Sequence, residues 1–388
     1  MTPMRRDGRT AAHVMVLTIA GILATIACAA PAAVPAAPTS PAAARLSPTT
    51  GPHLPEDGSG PQAAAGGDPD VPVEGAGGNG PEASAEPRPS APVASDDPSP
   101  DDQPEDRDET SAGPDTSTTR TIVIAGDIAG CDYRSDSATA QLVEQIPGVV
   151  MTAGDNAYPA GSYEQFQRCY APTWGRFRYR TRPTPGNHDW ATPKAAGYFR
   201  YFGRRAGPPG RGYYAFDVGV WRVYALAGDC GQVEGCRASS PQFRWLAADL
   251  AARPRRCVLA VWHQPRFSSG PHGTRKPTKP LFRLLYESGA EVIINGHDHG
   301  YERFGPATDE GEADASHGIR QIVVGTGGAP LYGHHQPFAP NSQVRNGSTH
   351  GVLKLRLAEN GYAWRFIPVA GGSFTDSGSG TCHGRPPA

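Results

Sequence analysis

Short apolar runs recur along the last two-thirds of the chain, and each one ends at polar residues. The four clearest runs are Thr121–Ala125, Gly148–Ala153, Cys257–Trp262 and Glu291–Ile294. Unbroken apolar runs of this length, bounded by turn residues, are typical of strands buried inside a sheet. Each predicted strand therefore presents polar residues at its C-terminal end.

Other segments show helical spacing or a two-residue alternation. The helical patterns are Ser135–Ile146, Pro241–Ala252 and Thr278–Glu287. The alternating patterns, which predict more exposed antiparallel strands, are Tyr213–Val218, Trp221–Leu226, Ile319–Val324, Val352–Leu357 and Tyr362–Ile367. The dipeptide Asn360-Gly361, between the last two of these strands, predicts a hairpin.

These elements together predict an α/β fold, a four-layer-type α/β/β/α sandwich of two mixed sheets with helices outside. The C-terminal ends of parallel strands converge at one edge of a sheet. The polar residues that follow the buried strands are therefore expected to form a site at that edge.

Composition divides the chain into three parts. The segment 31–119 contains no Trp, Tyr or Phe and is rich in Ala, Pro, Gly, Ser and Asp. Such a segment cannot bury enough apolar surface to offset its ordering entropy, so 30–119 is predicted to be a disordered linker. Residues 120–388 contain the aromatic and apolar runs and are predicted to form the folded domain.

Charge is distributed as unevenly as composition. Counting Asp, Glu, Lys and Arg, residues 31–119 carry a net charge of −13 and residues 120–388 one of +9. A basic folded domain suits an anionic substrate, although general charge balance explains the excess equally well. The Arg residues are scattered and no segment resembles a nucleic-acid-binding module, so nucleic acid is not an expected partner.

The N-terminus predicts export. Arg5, Arg6 and Arg9 precede the apolar run Val14–Ala27, which indicates a signal peptide over residues 1–29. Cys28 lies in a lipobox-like sequence, so the mature protein is predicted to be either secreted or attached to a membrane through lipidated Cys28.

The cysteine content fits an exported protein. Six cysteines follow Cys28, and an even number in such a protein predicts disulfides. Cys230 and Cys236 are close enough in sequence to close a small loop. The partners of the other four cysteines stay open from sequence.

Five polar clusters follow the predicted strands or lie between them. They are Gly126-Asp127, Gly154-Asp155-Asn156-Ala157-Tyr158, Gly186-Asn187-His188-Asp189, Trp262-His263 and Gly296-His297-Asp298-His299. A single Gly-Asp usually marks a turn, and a single buried His usually satisfies the core. The cluster with two His residues at i and i+2 can address two neighbouring metal ions.

In this order, the five clusters resemble the motif series of the calcineurin-like metallophosphoesterases. The variant is similar to a compact bacterial form of the purple acid phosphatases. Most of that superfamily has Asp-x-His in its first motif, whereas this chain has Ala129 at the position of the His. It has instead Tyr158 in a Gly-Asp-x-x-Tyr sequence, where the purple acid phosphatases place a tyrosine ligand. Asp189 is a departure, since plant members have Glu there.

The resemblance implies a dinuclear metal site. The first ion would be bound by Asp127, Asp155, Tyr158 and His299, and the second by Asp155, Asn187, His263 and His297. Carboxylates and a phenolate are hard donors that favour Fe(III) at the first site. Imidazole, an amide oxygen and a shared carboxylate suit a divalent Zn, Mn or Fe ion at the second.

The same resemblance implies the hydrolysis of phosphate monoesters by attack of a metal-bound hydroxide. His188 and His272 are the predicted catalytic residues, because family members place outer-sphere histidines there to contact the phosphate. A phosphodiesterase or nucleotidase on the same scaffold is the nearest alternative. A surface binding protein with an inactive site and a metal-dependent acyl hydrolase are more distant ones.

Overall fold

The computed structural model describes residues 119–386. The predicted signal peptide (1–29), with Cys28, and all but the last residue of the predicted linker (30–119) lie outside the described residues. Within the described part, no helix is both long enough and apolar enough to cross a membrane.

Thirteen strands form within residues 119–386. They are β1 (Arg120–Ala125), β2 (Val149–Ala153), β3 (Thr181–Thr184), β4 (Tyr214–Val218), β5 (Trp221–Ala225), β6 (Val258–Val261), β7 (Val292–Asn295), β8 (Tyr301–Phe304), β9 (Arg320–Val324), β10 (Ser342–Asn346), β11 (Gly351–Ala358), β12 (Gly361–Pro368) and β13 (Ser377–Thr381).

The described helices are mostly short. The α-helices are α1 (Ser135–Gln145), α2 (Tyr163–Gln165), α3 (Ala196–Phe202), α4 (Pro241–Ala252) and α5 (Lys279–Glu287). A π-helical turn (Phe166–Tyr170) continues α2. The described 3₁₀ helices are Trp174–Arg180, Asp189–Ala191, Pro193–Ala195, Gly203–Ala206, Cys230–Val233 and Lys276–Thr278.

The strands form two mixed sheets. The first sheet has the order β13-β12-β11-β1-β2-β3, and the second has the order β10-β8-β9-β7-β6-β5-β4. In the first sheet β1, β2 and β3 are parallel, and β11, β12 and β13 extend it with antiparallel pairs. In the second sheet β5, β6, β7 and β9 are parallel.

The two sheets pack face to face around the main core. Leu353, Leu355 and Leu357 are buried and alternate with Lys354 and Arg356 along β11, so one face of this strand is apolar. That apolar face belongs to a core that includes buried residues of β5, β6 and β7 from the other sheet. A satellite core forms where α4 and α5 cover the second sheet, and α1 packs on the first. The predicted four-layer α/β/β/α sandwich is confirmed.

The strands β5 and β9 were predicted to be exposed and antiparallel, and the structure differs from this prediction. β5 and β9 lie inside the second sheet, where they pair in parallel with β6 and β7. Their polar residues produced the alternating pattern, but these residues are buried with partners. Arg222 is 5% exposed and bonds Asp249, and Gln321 is 1% exposed and bonds the main chain of Phe267.

The predicted hairpin between β11 and β12 forms with a small change of register. Ala358 pairs with Gly361, so the two turn residues are Glu359 and Asn360 rather than Asn360 and Gly361. The strands β3, β8, β10 and β13 were not predicted from the sequence. β3 contains Pro183, which is tolerated because β3 is the edge strand of its sheet.

All six cysteines after Cys28 form disulfides. The pairs are Cys131–Cys169, Cys230–Cys236 and Cys257–Cys382. The predicted short loop between Cys230 and Cys236 is confirmed, and the other two pairs join segments that are distant in sequence.

Candidate metal centre

The ends of five strands bring the predicted site residues to one edge of the sandwich. In the first sheet, β1 is followed by Asp127, β2 by Asp155 and β3 by the segment 186–189. In the second sheet, β6 is followed by His263 and β7 by the segment 296–299. Because the sheets pack face to face, these strand ends meet where the two sheets adjoin.

The first group of predicted ligands converges on the hydroxyl of Tyr158. The Tyr158 Oη atom lies 3.1 Å from Asp127 Oδ1, 3.1 Å from Asp155 Oδ2 and 3.2 Å from His299 Nε2. His299 Nε2 lies 3.4 Å from Asp127 Oδ1. Ligand atoms about 2 Å from a common ion are spaced by about 3 Å, so these four atoms fit a single ion.

The backbone places Tyr158 next to Ala129. The Tyr158 N–H donates to the carbonyl oxygen of Ala129 at 2.7 Å, and Ala129 forms an isolated parallel bridge with Ala157. Ala129 is fully buried and its methyl group offers no ligand atom. The phenol of Tyr158 is thus the group that reaches the cluster from this side.

The second group shares an oxygen atom with the first. Asp155 Oδ2, which faces Tyr158, also lies 3.1 Å from His263 Nε2. His263 Nε2 lies in turn 3.2 Å from His297 Nδ1. Asp127, Asp155 and His263 offer ligand atoms that all lie within 4.8 Å of one another.

Asn187 lies beside Asp155 because its two neighbours in the chain, Gly186 and His188, both approach the Asp155 carboxylate. The His188 N–H donates to Asp155 Oδ1 at 2.8 Å. A Cβ atom added at Gly186 would come within 2.1 Å of the same oxygen, so only glycine allows this approach. Within the described residues, Asn187 Oδ1 is a buried atom without a hydrogen-bond partner. Buried polar atoms normally have partners, and a metal ion would provide one here.

Main-chain carbonyl groups fix the orientation of three histidines. The Nδ1 atoms of His263, His299 and His188 lie 2.8, 2.8 and 2.6 Å from the carbonyl oxygens of Ala153, Pro330 and Pro159. A carbonyl oxygen only accepts, so each Nδ1 carries a proton, and in the neutral imidazole the lone pair lies on Nε2. In His263 and His299 that Nε2 atom faces the carboxylates, as a metal ligand requires.

The electrostatics of the cluster favour positive charge at its centre. Burial raises the pKa of Asp127 despite the opposing charge of His263. Burial would also raise the pKa of Asp155, but His263 holds it below its usual range. Burial would lower the pKa of His263, yet the negative charges of Asp155 and Asp127 raise it to about 10. A metal ion supplies the positive charge that these carboxylates attract.

The pKa of His297 moves in the opposite direction to that of His263, whose second proton a bound metal ion would replace. Burial, together with the neighbouring His263 and His272, lowers the pKa of His297 to about 2. A neutral imidazole is the form that binds metal ions.

Three of the predicted ligands have strained backbones. The φ angles of Asp127, Asp155 and His297 are 61°, 51° and 75°, in the left-handed region that residues other than glycine rarely adopt. Such strain costs on the order of 1–3 kcal/mol per residue and is concentrated at functional sites. This strain adds to the spacing of the ligand atoms and the unpartnered Asn187 oxygen, by which these residues fit a metal ion.

The structure also brings in residues that the sequence did not assign to the site. Asp189 is fully buried and accepts hydrogen bonds from the main chain of Gly186 and from the main and side chains of Asn156. It therefore joins the motif of Asp155 to that of Asn187. The signal in the sequence was its position two residues after a predicted ligand.

Tyr332 had no comparable signal, because it lies in a loop without any recognisable pattern. Its ring stacks on His299 with centroids 4.8 Å apart, and its hydroxyl donates to the carbonyl oxygen of His297 at 2.9 Å. Tyr332 therefore supports the two histidines that the last motif contributes.

Residues 120–301 match the family model of the calcineurin-like phosphoesterases. These residues, which include all of the predicted ligands, are similar to the calcineurin-like phosphoesterases. Among curated relatives, purple acid phosphatase 15 of Arabidopsis thaliana is 27% identical over 244 residues, which cover 53% of this chain and 44% of the relative. Purple acid phosphatase 21 of the same plant is 28% identical over 266 residues, covering 60% and 56%.

A solved structure shows the same fold as the described domain. It is a purple acid phosphatase isolated from seeds of yellow lupin, Lupinus luteus, with a TM-score of 0.54 and 18% identity. The similarity covers 67% of this chain and 53% of the lupin chain. The chain spans about half the length of the curated relatives named above. The predicted resemblance to the purple acid phosphatases is confirmed.

Proposed function

We propose that the domain 120–388 is a dinuclear-metal phosphatase that hydrolyses phosphate monoesters. The observation that carries this proposal is the position of Asp155 Oδ2. It lies 3.1 Å from Tyr158 Oη on one side and 3.1 Å from His263 Nε2 on the other. One carboxylate oxygen between two groups of ligands is the arrangement that holds two ions close together.

The two groups would bind different metal ions. One group consists of Asp127, Asp155, Tyr158 and His299, and the other of Asp155, Asn187, His263 and His297. The phenolate and carboxylates of the first suit Fe(III), and the histidines and amide of the second suit a divalent Zn, Mn or Fe ion. When bound, the ions supply positive charge that neutralises phosphoryl oxygens and lowers the pKa of water.

Two histidines outside the ligand set would act on the substrate. The ring of His188 packs against Tyr158 with centroids 4.4 Å apart, and its side chain is 37% exposed. Its Nδ1 atom is held by Pro159, so Nε2 remains for the substrate. His272 packs against His297, with centroids 4.2 Å apart and its side chain 44% exposed. Each of the two rings thus contacts a ligand of a different group.

An ester pair tests the substrate class. We expect 4-nitrophenyl phosphate to be hydrolysed with a kcat/KM roughly tenfold or more above that of bis(4-nitrophenyl) phosphate. The dianionic monoester gains more from two cations and a basic domain than the monoanionic diester does. Metal analysis of the same sample should give two ions per chain. A preference for the bis-ester would instead indicate a phosphodiesterase, and no hydrolysis by protein with two bound metals would indicate an inactive binding protein.

Tyr158→Phe tests the identity of the first ion. A phenolate bound to Fe(III) absorbs visible light, so the oxidised, iron-loaded wild type should show a band that Tyr158→Phe lacks. Tyr133→Phe is the matched control, because its ring lies 5.7 Å from that of Tyr158 but its hydroxyl is outside the proposed ligand set. The measurement is the visible spectrum at equal iron content. A band that survives in Tyr158→Phe, or is missing from iron-loaded wild type, contradicts the assignment.

We also propose that the protein acts outside the cytoplasm, either secreted or attached through Cys28. The charged and apolar segments of residues 1–29 support this, as do the three disulfides of the described domain. Residues 30–119 would then separate the domain from the membrane or cell wall.

A further inference from the structure

Asp298 lies between two proposed metal ligands, His297 and His299, but its carboxylate bonds a different segment. Its side chain is 4% exposed. It accepts hydrogen bonds from the Ser268 hydroxyl at 2.5 Å, the His272 N–H at 3.1 Å and His272 Nδ1 at 2.9 Å. The loop from Ser268 to His272 therefore folds around this carboxylate.

The approach of the loop to Asp298 depends on a glycine. A Cβ atom at Gly270 would lie 2.3 Å from Asp298 Cγ, so any larger residue would push the loop away. The Gly270 N–H donates to the Ser268 hydroxyl, which closes the turn. The main chain of the loop therefore fixes its contact with Asp298, and the contact does not depend on a flexible side chain.

The hydrogen bonds of Asp298 define the orientation of His272. A carboxylate only accepts, so Nδ1 of His272 carries a proton. The Tyr332 hydroxyl lies 3.1 Å from the same Nδ1 atom and gives its own proton to the carbonyl oxygen of His297. Two oxygen atoms therefore surround one N–H group, and the free ring nitrogen of His272 is Nε2.

We propose that Asp298 is a positioning residue that, with Tyr332, holds His272 so that Nε2 contacts the leaving oxygen of the substrate. The inference rests on the proposed phosphatase function. His272 lies against His297, so its ring stands at the border of the metal centre. Asp298, which lies between the proposed ligands His297 and His299, then links His272 to the loop that carries them.

Leaving-group dependence distinguishes this role from support of the loop. A hydrogen bond to the leaving oxygen matters most when that oxygen develops much charge, as in an alkyl phosphate, and less for 4-nitrophenyl phosphate. His272→Ala should lower kcat for glycerol 2-phosphate about 100-fold. It should lower kcat for 4-nitrophenyl phosphate only about tenfold. Asp298→Asn should show the same selective loss, to a smaller extent.

The double variant and a matched control complete the experiment. Asp298→Asn combined with His272→Ala should be no slower than His272→Ala alone, because both changes remove one interaction. Ser268→Ala removes the other side-chain bond to Asp298 without touching His272, so it should affect both esters equally. Equal losses for the two esters in Asp298→Asn, or additive losses in the double variant, would overturn the positioning role.

A readout without turnover separates this inference from the proposed function. Imidazole ¹⁵N chemical shifts should show His272 protonated at Nδ1 in the wild type and altered in Asp298→Asn. A wild type that hydrolyses neither ester but keeps this signature would contradict the phosphatase proposal alone. A His272 without a proton on Nδ1 would contradict the role of Asp298.

Discussion

Replacing Asp155 by Asn is expected to abolish binding of both metal ions and to lower turnover by roughly 10³-fold or more, about 4 kcal/mol of transition-state stabilisation. The Oδ2 atom of Asp155 lies at 3.1 Å from a ligand atom of each group, so losing its charge weakens both. The substitution keeps the size of the side chain. The measurement is the number of metal ions per chain after dialysis, followed by turnover of 4-nitrophenyl phosphate.

Asp136→Asn is the control for the Asp155 experiment. Asp136 is also buried, at 2% exposure, but it bonds Thr173 and the N-terminal turn of α1 instead of the metal centre. This variant should keep both metal ions. Two ions per chain in Asp155→Asn would contradict the shared-ligand arrangement.

Removal of the Cys257–Cys382 disulfide is expected to have the largest effect on stability. The bond closes a segment of 125 residues, whereas Cys230–Cys236 closes one of only 6. Loop-closure entropy predicts a loss of about 5 kcal/mol for the first bond and about 2 kcal/mol for the second. Chemical denaturation of the two double Cys→Ala variants measures the difference. Equal losses would show that the bonds act through local packing and not through the unfolded chain.

The position of Cys257 links this stability to the site. Cys257 directly precedes β6, and β6 delivers His263 to the metal centre. Cys382 directly follows β13, the edge strand of the other sheet, so the disulfide joins the two sheets at β6 and β13. We therefore expect the variant without this bond to lose metal at a lower denaturant concentration than the wild type.

The part of the site that follows buried strands was predictable from sequence. An apolar run that ends at Gly-Asp or at His fixes both the strand and the edge where its polar residue lies. For this reason Asp127, Asp155 and His263 could be placed together before their distances were known. The observed strands that carry them differ from the predicted ones by one residue or less at the end that meets the site.

Contacts between loops were not predictable in this way. The bonds from His272 to Asp298 and from Tyr332 to His297 join segments separated by 26 and 35 residues, and no periodic pattern records such a pairing. The strand β13, with the sequence Ser-Gly-Ser-Gly-Thr, was missed for a related reason. Its hydrogen bonds to β12 define it, and its side chains carry no apolar alternation.

The bonds that orient His188, His263 and His299 end on the peptide carbonyls of Pro159, Ala153 and Pro330. Every amino acid brings the same carbonyl group, so no point substitution at those three acceptor positions can delete the acceptor. Divergence of the surrounding side chains therefore leaves the imidazole tautomers intact as long as the path of the main chain is kept. Only an insertion, a deletion or a shift of the backbone would turn these rings away from the metal centre.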